Sequence, residues 1–203
     1  MKKFASTGLI IGAFVFGMAS CNQEQGAVEN AQETNEQRFE DTAMEDRKID
    51  QSEFMTQAAS SNMLEIEAGQ LAQQKGQNQA VKDFGQMMVT DHTQATEQLQ
   101  SIASQKNITL PDSMSQEHMD QLQSLRDKNG AEFDQEYADL MVSSHEEAIS
   151  LFEDASEDLE DPDVKNFATT TLPKLREHHQ QANQLDETVG GNNTANLGTP
   201  REQ

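Results

Sequence analysis

The stretch Met87-Met88-Val89-Thr90-Asp91-His92 lies in the middle of a long segment in which apolar residues recur at the spacing of one helix face. Asp91 and His92 fill the gap in this apolar stripe between Met88 and Ala95, where an amphipathic helix usually carries Leu or Ala. The segment therefore predicts a helix over 79–106 that brings an imidazole and a carboxylate to its buried face.

The same arrangement occurs in two later segments. Met141-Val142-Ser143-Ser144-His145-Glu146 places a histidine one turn after Met141, within a predicted helix over 131–158. Arg176-Glu177-His178-His179 lies at a corresponding depth in a last helix that opens at Asp161-Pro162. Pro173 falls inside this last helix and is expected to kink it, because proline removes one backbone hydrogen bond.

The remaining elements complete an all-α fold. A first long helix is predicted from Asp50 or Ser52 to just before Gly76, and a short helix over 115–128. Val, Ile and aromatic runs are scarce, and the chain has no Trp and one Tyr, which disfavours strands. Two helical hairpins joined by a longer connection that contains the short helix predict a ferritin-like four-helix bundle.

The N-terminus has the features of an export signal. Residues 1–20 combine Lys2 and Lys3 with an apolar run over 9–16 that is too short to span a membrane comfortably. Met18-Ala19-Ser20-Cys21 resembles the lipobox of bacterial lipoproteins, which implies cleavage before Cys21 and lipidation of that residue. The alternative is a plain secretory signal with a chance cysteine. We expect an envelope protein anchored by lipid, in the periplasm or at the outer membrane.

Composition divides the rest of the chain. Residues 21–48 are rich in Gln, Glu and Asn and are predicted to be a disordered acidic tether, with the bundle over 49–187 and a disordered tail over 188–203. The formal net charge is −22, from 36 acidic and 14 basic residues, so a nucleic-acid partner is disfavoured. The membrane, reached through lipid on Cys21, is the one partner that the sequence predicts.

The polar residues on the buried helix faces are candidate metal ligands. The primary set is His92, His145, His178 and Glu65, because imidazole and carboxylate together suit iron, zinc, manganese or copper. The secondary set is Asp91, Glu146, Glu177, Met88 and Met141. Met88 and Met141 each precede a histidine by four residues, a thioether–imidazole pairing suited to Cu(I), although methionine is more usually core filler.

The sequence argues against two kinds of chemistry. The di-iron pattern requires Glu-x-x-His on two helices, but Val89, Val142 and Leu175 stand three residues before the histidines. There is also no Gly-x-Ser-x-Gly elbow, no phosphate-binding glycine-rich loop and no cysteine besides Cys21. His118 lies outside the repeated pattern and is predicted to be a solvated surface residue.

Three functions remain open at this point. The first is a non-enzymatic envelope lipoprotein that binds a transition metal in the His/carboxylate layer. The second is a metal-free structural or interaction module, in which the histidines pair with neighbouring carboxylates or carbonyls and fix the helix register. The third is an oxidoreductase with a dinuclear metal centre, against which the missing Glu-x-x-His pattern argues.

Four segments resemble the DUF4142 family, a domain of unknown function. They are Met63-Leu64-Glu65-Ile66-Glu67-Ala68-Gly69 and the segments 81–92, 141–146 and 171–178, and the resemblance covers about residues 50–187 in order. It implies a ferritin-like helical bundle in bacterial envelope proteins that are often described as outer-membrane proteins, and it implies no established activity. Ser144 stands where the family pattern has Asp, so the resemblance supplies no partner for His145.

Overall fold

The computed structural model describes residues 26–42 and 44–195, and the chain is all-helical in those ranges, with no strand. The helices α3 and α5 begin and end where the apolar periodicity predicts. The six helices are α1 (Ala27–Phe39), α2 (Glu45–Lys75), α3 (Gln79–Lys106), α4 (Gln116–Asp127), α5 (Ala131–Asp158) and α6 (Pro162–Ala195).

The four long helices pack as two pairs. The most extensive contacts join α2 to α3 and α5 to α6, and further contacts join α2 to α5 and α3 to α6. Gly69 and Gly85 let α2 and α3 approach closely, since a Cβ on either residue would lie 2.7 Å from the backbone oxygen of the other. The shorter α1 packs on α2, and α4 packs on α2 and α5.

Polar groups fix the ends of these helices. The Asn78 side chain accepts a hydrogen bond from the Ala80 amide and caps α3. The Asp134 carboxylate accepts bonds from the amides of Gln77 and Asn78, at 2.9 and 2.8 Å, which ties the start of α5 to the α2–α3 turn. Pro173 lies inside α6, as the sequence predicts. Loop geometry and helix packing therefore act together to set the register of the four long helices.

The apolar core consists of two clusters. One contains Phe54, Phe152 and Phe167 and is called here the phenylalanine cluster. The other contains Phe84, Phe133, Tyr137 and the buried methionines Met88 and Met141. Along α3, α5 and α6, residues of one cluster give way to residues of the other at His92, His145 and His178. A polar layer therefore separates two apolar regions.

The prediction of a disordered tether over 21–48 is wrong for most of its length. Residues Ala27–Phe39 form α1, and α2 begins at Glu45, ahead of the predicted start at Asp50 or Ser52. Val28, Ala31, Asn35 and Phe39 form the buried face of α1. The Asn35 amide pairs with both backbone groups of Thr109, at 2.9 and 2.7 Å. Composition does not reveal this helix, because only three of the side chains on its buried face are apolar.

The predicted tail over 188–203 also differs in part, because α6 continues to Ala195. The predicted signal peptide over 1–20, Cys21 and the last eight residues lie outside the described residues. Among the helices that the structure describes, none has an apolar stretch long enough to cross a membrane.

Candidate metal centre

Three histidines from three helices meet in the polar layer. His92 comes from α3, His145 from α5 and His178 from α6, and their ring centroids are 5.4–5.6 Å apart. They are only 4%, 0% and 1% exposed, respectively. The sequence predicted all three as metal ligands, and the structure brings them together.

Each ring uses one nitrogen to bond outward. His92 Nδ1 lies 2.9 Å from Asn62 Oδ1, and His145 Nδ1 lies 2.8 Å from the Met141 carbonyl oxygen. His178 Nε2 lies 2.9 Å from Asp91 Oδ2. An oxygen acceptor at each of these nitrogens makes it the N–H donor, so the other nitrogen of each ring keeps its lone pair.

The second nitrogen of each ring is buried and has no partner in the described part of the chain. These nitrogens are His92 Nε2, His145 Nε2 and His178 Nδ1. One ligand nitrogen from each ring lies within 4.8 Å of those of the other two. Metal–nitrogen bonds of about 2.0–2.1 Å in a tetrahedral site require nitrogens about 3.4 Å apart. Ring movements of under about 1 Å would therefore bring the three nitrogens onto one ion.

Burial also favours the neutral form of the His92 and His178 rings. It lowers the pKa of His92 well below its usual value, and the neighbouring His145 and His178 rings lower it further. Burial lowers the pKa of His178 as well, and the hydrogen bond to Asp91 offsets this only in part. Neutral imidazole is the form that binds a metal. His92 and His178 thus present metal-ready donors at pH 7.

Glu65, the fourth predicted ligand, does not join the three histidines as a group of metal-binding atoms. Its Oε1 accepts a hydrogen bond from the Ser144 hydroxyl and lies 3.6 Å from His145 Nδ1, the nitrogen that faces outward. Its Oε2 is buried with no partner in the described part of the chain. Burial raises the pKa of Glu65, against the opposing effects of His145 and Ser144. Glu65 therefore lies behind His145, at the nitrogen that faces away from the other two rings, and is not part of the histidine group.

The secondary candidates separate into three groups. Asp91 is the hydrogen-bond acceptor of His178 and also lies 3.6 Å from Lys174 Nζ. Glu146 and Glu177 are exposed and pair with His179 and Lys174, away from the three histidines, so the prediction that they belong to the layer is wrong. Met88 and Met141 are fully buried in the second apolar cluster, and the Met141 carbonyl orients His145.

Sequence reasoning missed four residues at or near this site. Asn62 orients His92, Ser144 binds Glu65, and Tyr137 is fully buried near Glu65 with its hydroxyl unpartnered among the described residues. Burial, followed by the Glu65 charge, raises the pKa of Tyr137 well above its usual value. His118 is half-buried, and its Nδ1 lies 2.6 Å from Ser60 Oγ, so it is not the solvated residue that the sequence predicted. Of these four residues, Asn62 is the one that helical spacing could have identified, because it lies on the buried face of α2.

Comparison with known proteins shows one match. The model of a family described as a domain of unknown function, DUF4142, matches residues 33–185. This range includes the second half of α1, which the resemblance noted above did not cover. No curated protein and no solved structure matches the chain.

Proposed function

The chain belongs to the DUF4142 family, and we propose that it is a lipid-anchored envelope protein, which its N-terminal sequence supports, and that it binds one transition-metal ion through His92, His145 and His178, which the geometry supports. The carrying observation is the arrangement of the three rings. Each has one nitrogen bonded to an oxygen acceptor and a second, buried nitrogen without a partner in the described structure, and one ligand nitrogen of each ring lies within 4.8 Å of those of the other two.

The energetic argument favours a ligand. A buried polar atom without a hydrogen bond costs about 1–3 kcal/mol, and this layer holds three such nitrogens close together. Histidines that served only to fix helix register would be expected to pair with one another or with carboxylates through both nitrogens. A metal ion satisfies all three lone pairs at once. The metal-free module is therefore the weaker proposal.

The donors narrow the choice of metal. Three imidazoles suit zinc, copper and iron better than manganese, which prefers carboxylate and water oxygens. Asp91 and Glu65 flank the site without entering the histidine group, and together they would compensate the charge of a divalent ion. The oxygen acceptors behind the histidines are the kind of outer partner that orients metal-bound imidazoles. We therefore propose Zn²⁺ as the first ion to test.

Binding is a better proposal than catalysis. Catalytic zinc sites keep a coordination position open to water or substrate, whereas these histidines are between 0% and 4% exposed. A dinuclear oxidoreductase has less support still, because bridging carboxylates are needed to hold two ions. Asp91 is committed to His178, and Glu65 lies at the outward side of His145.

We further propose that the four long helices form a ferritin-like bundle, with α4 in its crossover. The pairing of α2 with α3 and of α5 with α6, and the placement of α4 between the pairs in sequence, support this topology. The envelope location rests on the sequence features at Lys2, Lys3 and Cys21. Radiolabelled palmitate should enter the wild-type chain and not Cys21→Ala, and incorporation into both would contradict a lipid on Cys21.

Equilibrium dialysis tests the metal proposal. The full chain, purified without a histidine tag, should retain one Zn²⁺ per chain, and the variant H92L/H145L/H178L should retain none. The variant E146Q/H179A is the matched control, since it removes an acid and a histidine at the surface. Equal retention by the wild type and the triple variant, or no retention by either, would rule the proposal out.

A further inference from the structure

The three histidines are divided between the two helical hairpins. His92 belongs to the α2–α3 hairpin, whereas His145 and His178 belong to the α5–α6 hairpin. The contacts within each hairpin are far more extensive than those between the hairpins, where α2 meets α5 and α3 meets α6. Elements with fewer packing contacts separate at a lower free energy than global unfolding requires. The two hairpins are therefore the units that can move apart at the histidine layer.

The two seams between the hairpins are restrained differently. On one side α4 packs on both α2 and α5, and Ser60 of α2 accepts a hydrogen bond from the Ser115 amide at the start of α4, at 2.9 Å. The buried hydrogen bond from Ser144 to Glu65 also joins α5 to α2. Within the described ranges, neither α1 nor α4 bridges α3 and α6 in this way. The seam between α3 and α6 is therefore the less restrained of the two.

An open groove of about 600 Å³ separates α3 from α6 next to the histidine layer. Its lining includes Met87 from α3 and Gln181 from α6. Met87 stands about one helical turn before Asp91, and Gln181 stands about one turn after His178. The groove thus reaches to within one turn of the Asp91–His178 pair, so the two helices are already apart beside it.

Asp91 closes the seam at the level of the histidines. Its Oδ2 lies 2.9 Å from His178 Nε2 and 3.6 Å from Lys174 Nζ, and both contacts cross from α3 to α6. Lys174 also lies 3.6 Å from Glu177, so the lysine is shared between two carboxylates at the surface. The Asp91 side chain is 24% exposed, whereas Asn62, the other side-chain acceptor of the layer, is buried. The hydrogen bonds around the three rings therefore reach solvent at this seam.

We propose that the seam between α3 and α6 is the gate through which the metal ion enters and leaves the site. This inference rests on the proposed function. The unpartnered nitrogens of the three rings are buried, so a hydrated ion reaches them only when helices move. Separation of α3 from α6 breaks the Asp91–His178 bond and exposes the His178 ring beside a carboxylate that attracts a cation. Closure of the seam then brings His92 and His145 onto the same ion.

A covalent link across the seam tests the gate separately from affinity. In the full chain with Cys21→Ala, M87C/Q181C places one thiol on each helix, at two partly exposed positions of the groove. A short bis-maleimide linker joins the thiols and leaves no thiolate that could bind metal. Stopped-flow absorbance follows Co²⁺ binding and its release to a chelator. The linked protein should load and release Co²⁺ about tenfold more slowly, because opening sets both rates, with Kd within about twofold of the unlinked protein.

The matched control carries the same linker across the other seam. Gln57 on α2 and Glu147 on α5 are exposed and line one cavity, so linked Q57C/E147C should keep the rates of the unlinked protein. M87C/Q181C with each thiol capped by N-ethylmaleimide should keep them as well. Unchanged rates in linked M87C/Q181C, or equal slowing in either control, would overturn the gate. If the wild-type protein binds neither Co²⁺ nor Zn²⁺ at equilibrium, the proposed function itself fails.

Discussion

This protein contains two clusters of three buried rings, and burial has opposite consequences for them. In the phenylalanine cluster, Phe54, Phe152 and Phe167 have centroids 5.0–6.4 Å apart. In the histidine layer the corresponding separations are 5.4–5.6 Å. The phenylalanine rings are apolar, so their contacts with one another and with the surrounding core are enough to stabilise them. The histidine rings leave three polar atoms unpartnered within the described structure, and under the proposed function a bound metal ion satisfies them.

The largest effect is expected in the phenylalanine cluster. Phe152→Ala removes a ring that contacts two others and should lower the free energy of unfolding by about 3–5 kcal/mol. Urea denaturation of the metal-free protein measures it. The control Glu153→Ala, next in sequence and with a side chain 46% exposed, should stay close to wild type apart from its surface pair with Arg176. A wild-type midpoint for Phe152→Ala would show that this cluster does not dominate stability.

The metal should stabilise only the histidine layer. At about one hundred times its Kd, Zn²⁺ is expected to raise the unfolding free energy of wild type by about 2.7 kcal/mol. Phe152→Ala should retain that increment, since its rings are not ligands, and H92L/H145L/H178L should lose it. Thermal denaturation with and without Zn²⁺ distinguishes these variants. The same increment in the triple variant would place the ion elsewhere.

The outward hydrogen bonds should affect affinity more than fold. Asp91→Ala removes the acceptor that fixes the tautomer of His178, and it should weaken Zn²⁺ binding about 10–100-fold, or about 1.4–2.7 kcal/mol. Isothermal titration calorimetry measures the change. Glu177→Ala is the control, because this exposed carboxylate contacts Lys174 and not a histidine of the layer. An unchanged Kd in Asp91→Ala would mean that the orientation of His178 is set by packing alone.

Acid should weaken the metal-free histidine layer and leave the phenylalanine cluster unaffected. The folded-state pKa of His92 lies well below the 6.5 of an unfolded chain, so its neutral form contributes stability that is full above pH 6.5 and is lost as pH falls. At pH 6 the expected loss from His92 is about 1 kcal/mol. Urea midpoints of wild type and His92→Leu at pH 7.5 and 6 measure it. Equal acid sensitivity of the two would contradict the neutral, buried ring.

The sequence predicts the long helices well because apolar periodicity is a local signal. It identifies α3 and α5 to their ends and places His92, His145 and His178 on buried faces. It misses α1, whose attachment depends on the distant backbone of Thr109. It also overextends the layer to Glu146 and Glu177, because residues next to a buried histidine can face solvent.

The details of the site depend on contacts between helices. Periodicity alone does not tell which nitrogen of each histidine is bonded, because the acceptors come from Asn62, Met141 and Asp91 on three helices. The structure confirms the depth that the sequence predicts for Glu65. The carboxylate lies at the outward side of His145, however, which periodicity does not predict. His118 is half-buried because its ring contacts the Ser60 hydroxyl, which lies far from it in sequence. The pairings of His92, His178 and His118 with residues of other helices arise only when the helices pack.

The coordination shell of a bound ion tests the central claim most directly. X-ray absorption spectroscopy of the Zn²⁺-loaded full chain should show three imidazole nitrogens at about 2.0–2.1 Å from the metal, consistent with His92, His145 and His178. The same spectrum should be absent from H92L/H145L/H178L, because no metal is retained. A shell made mostly of carboxylate oxygens, unchanged in the triple variant, would contradict the account.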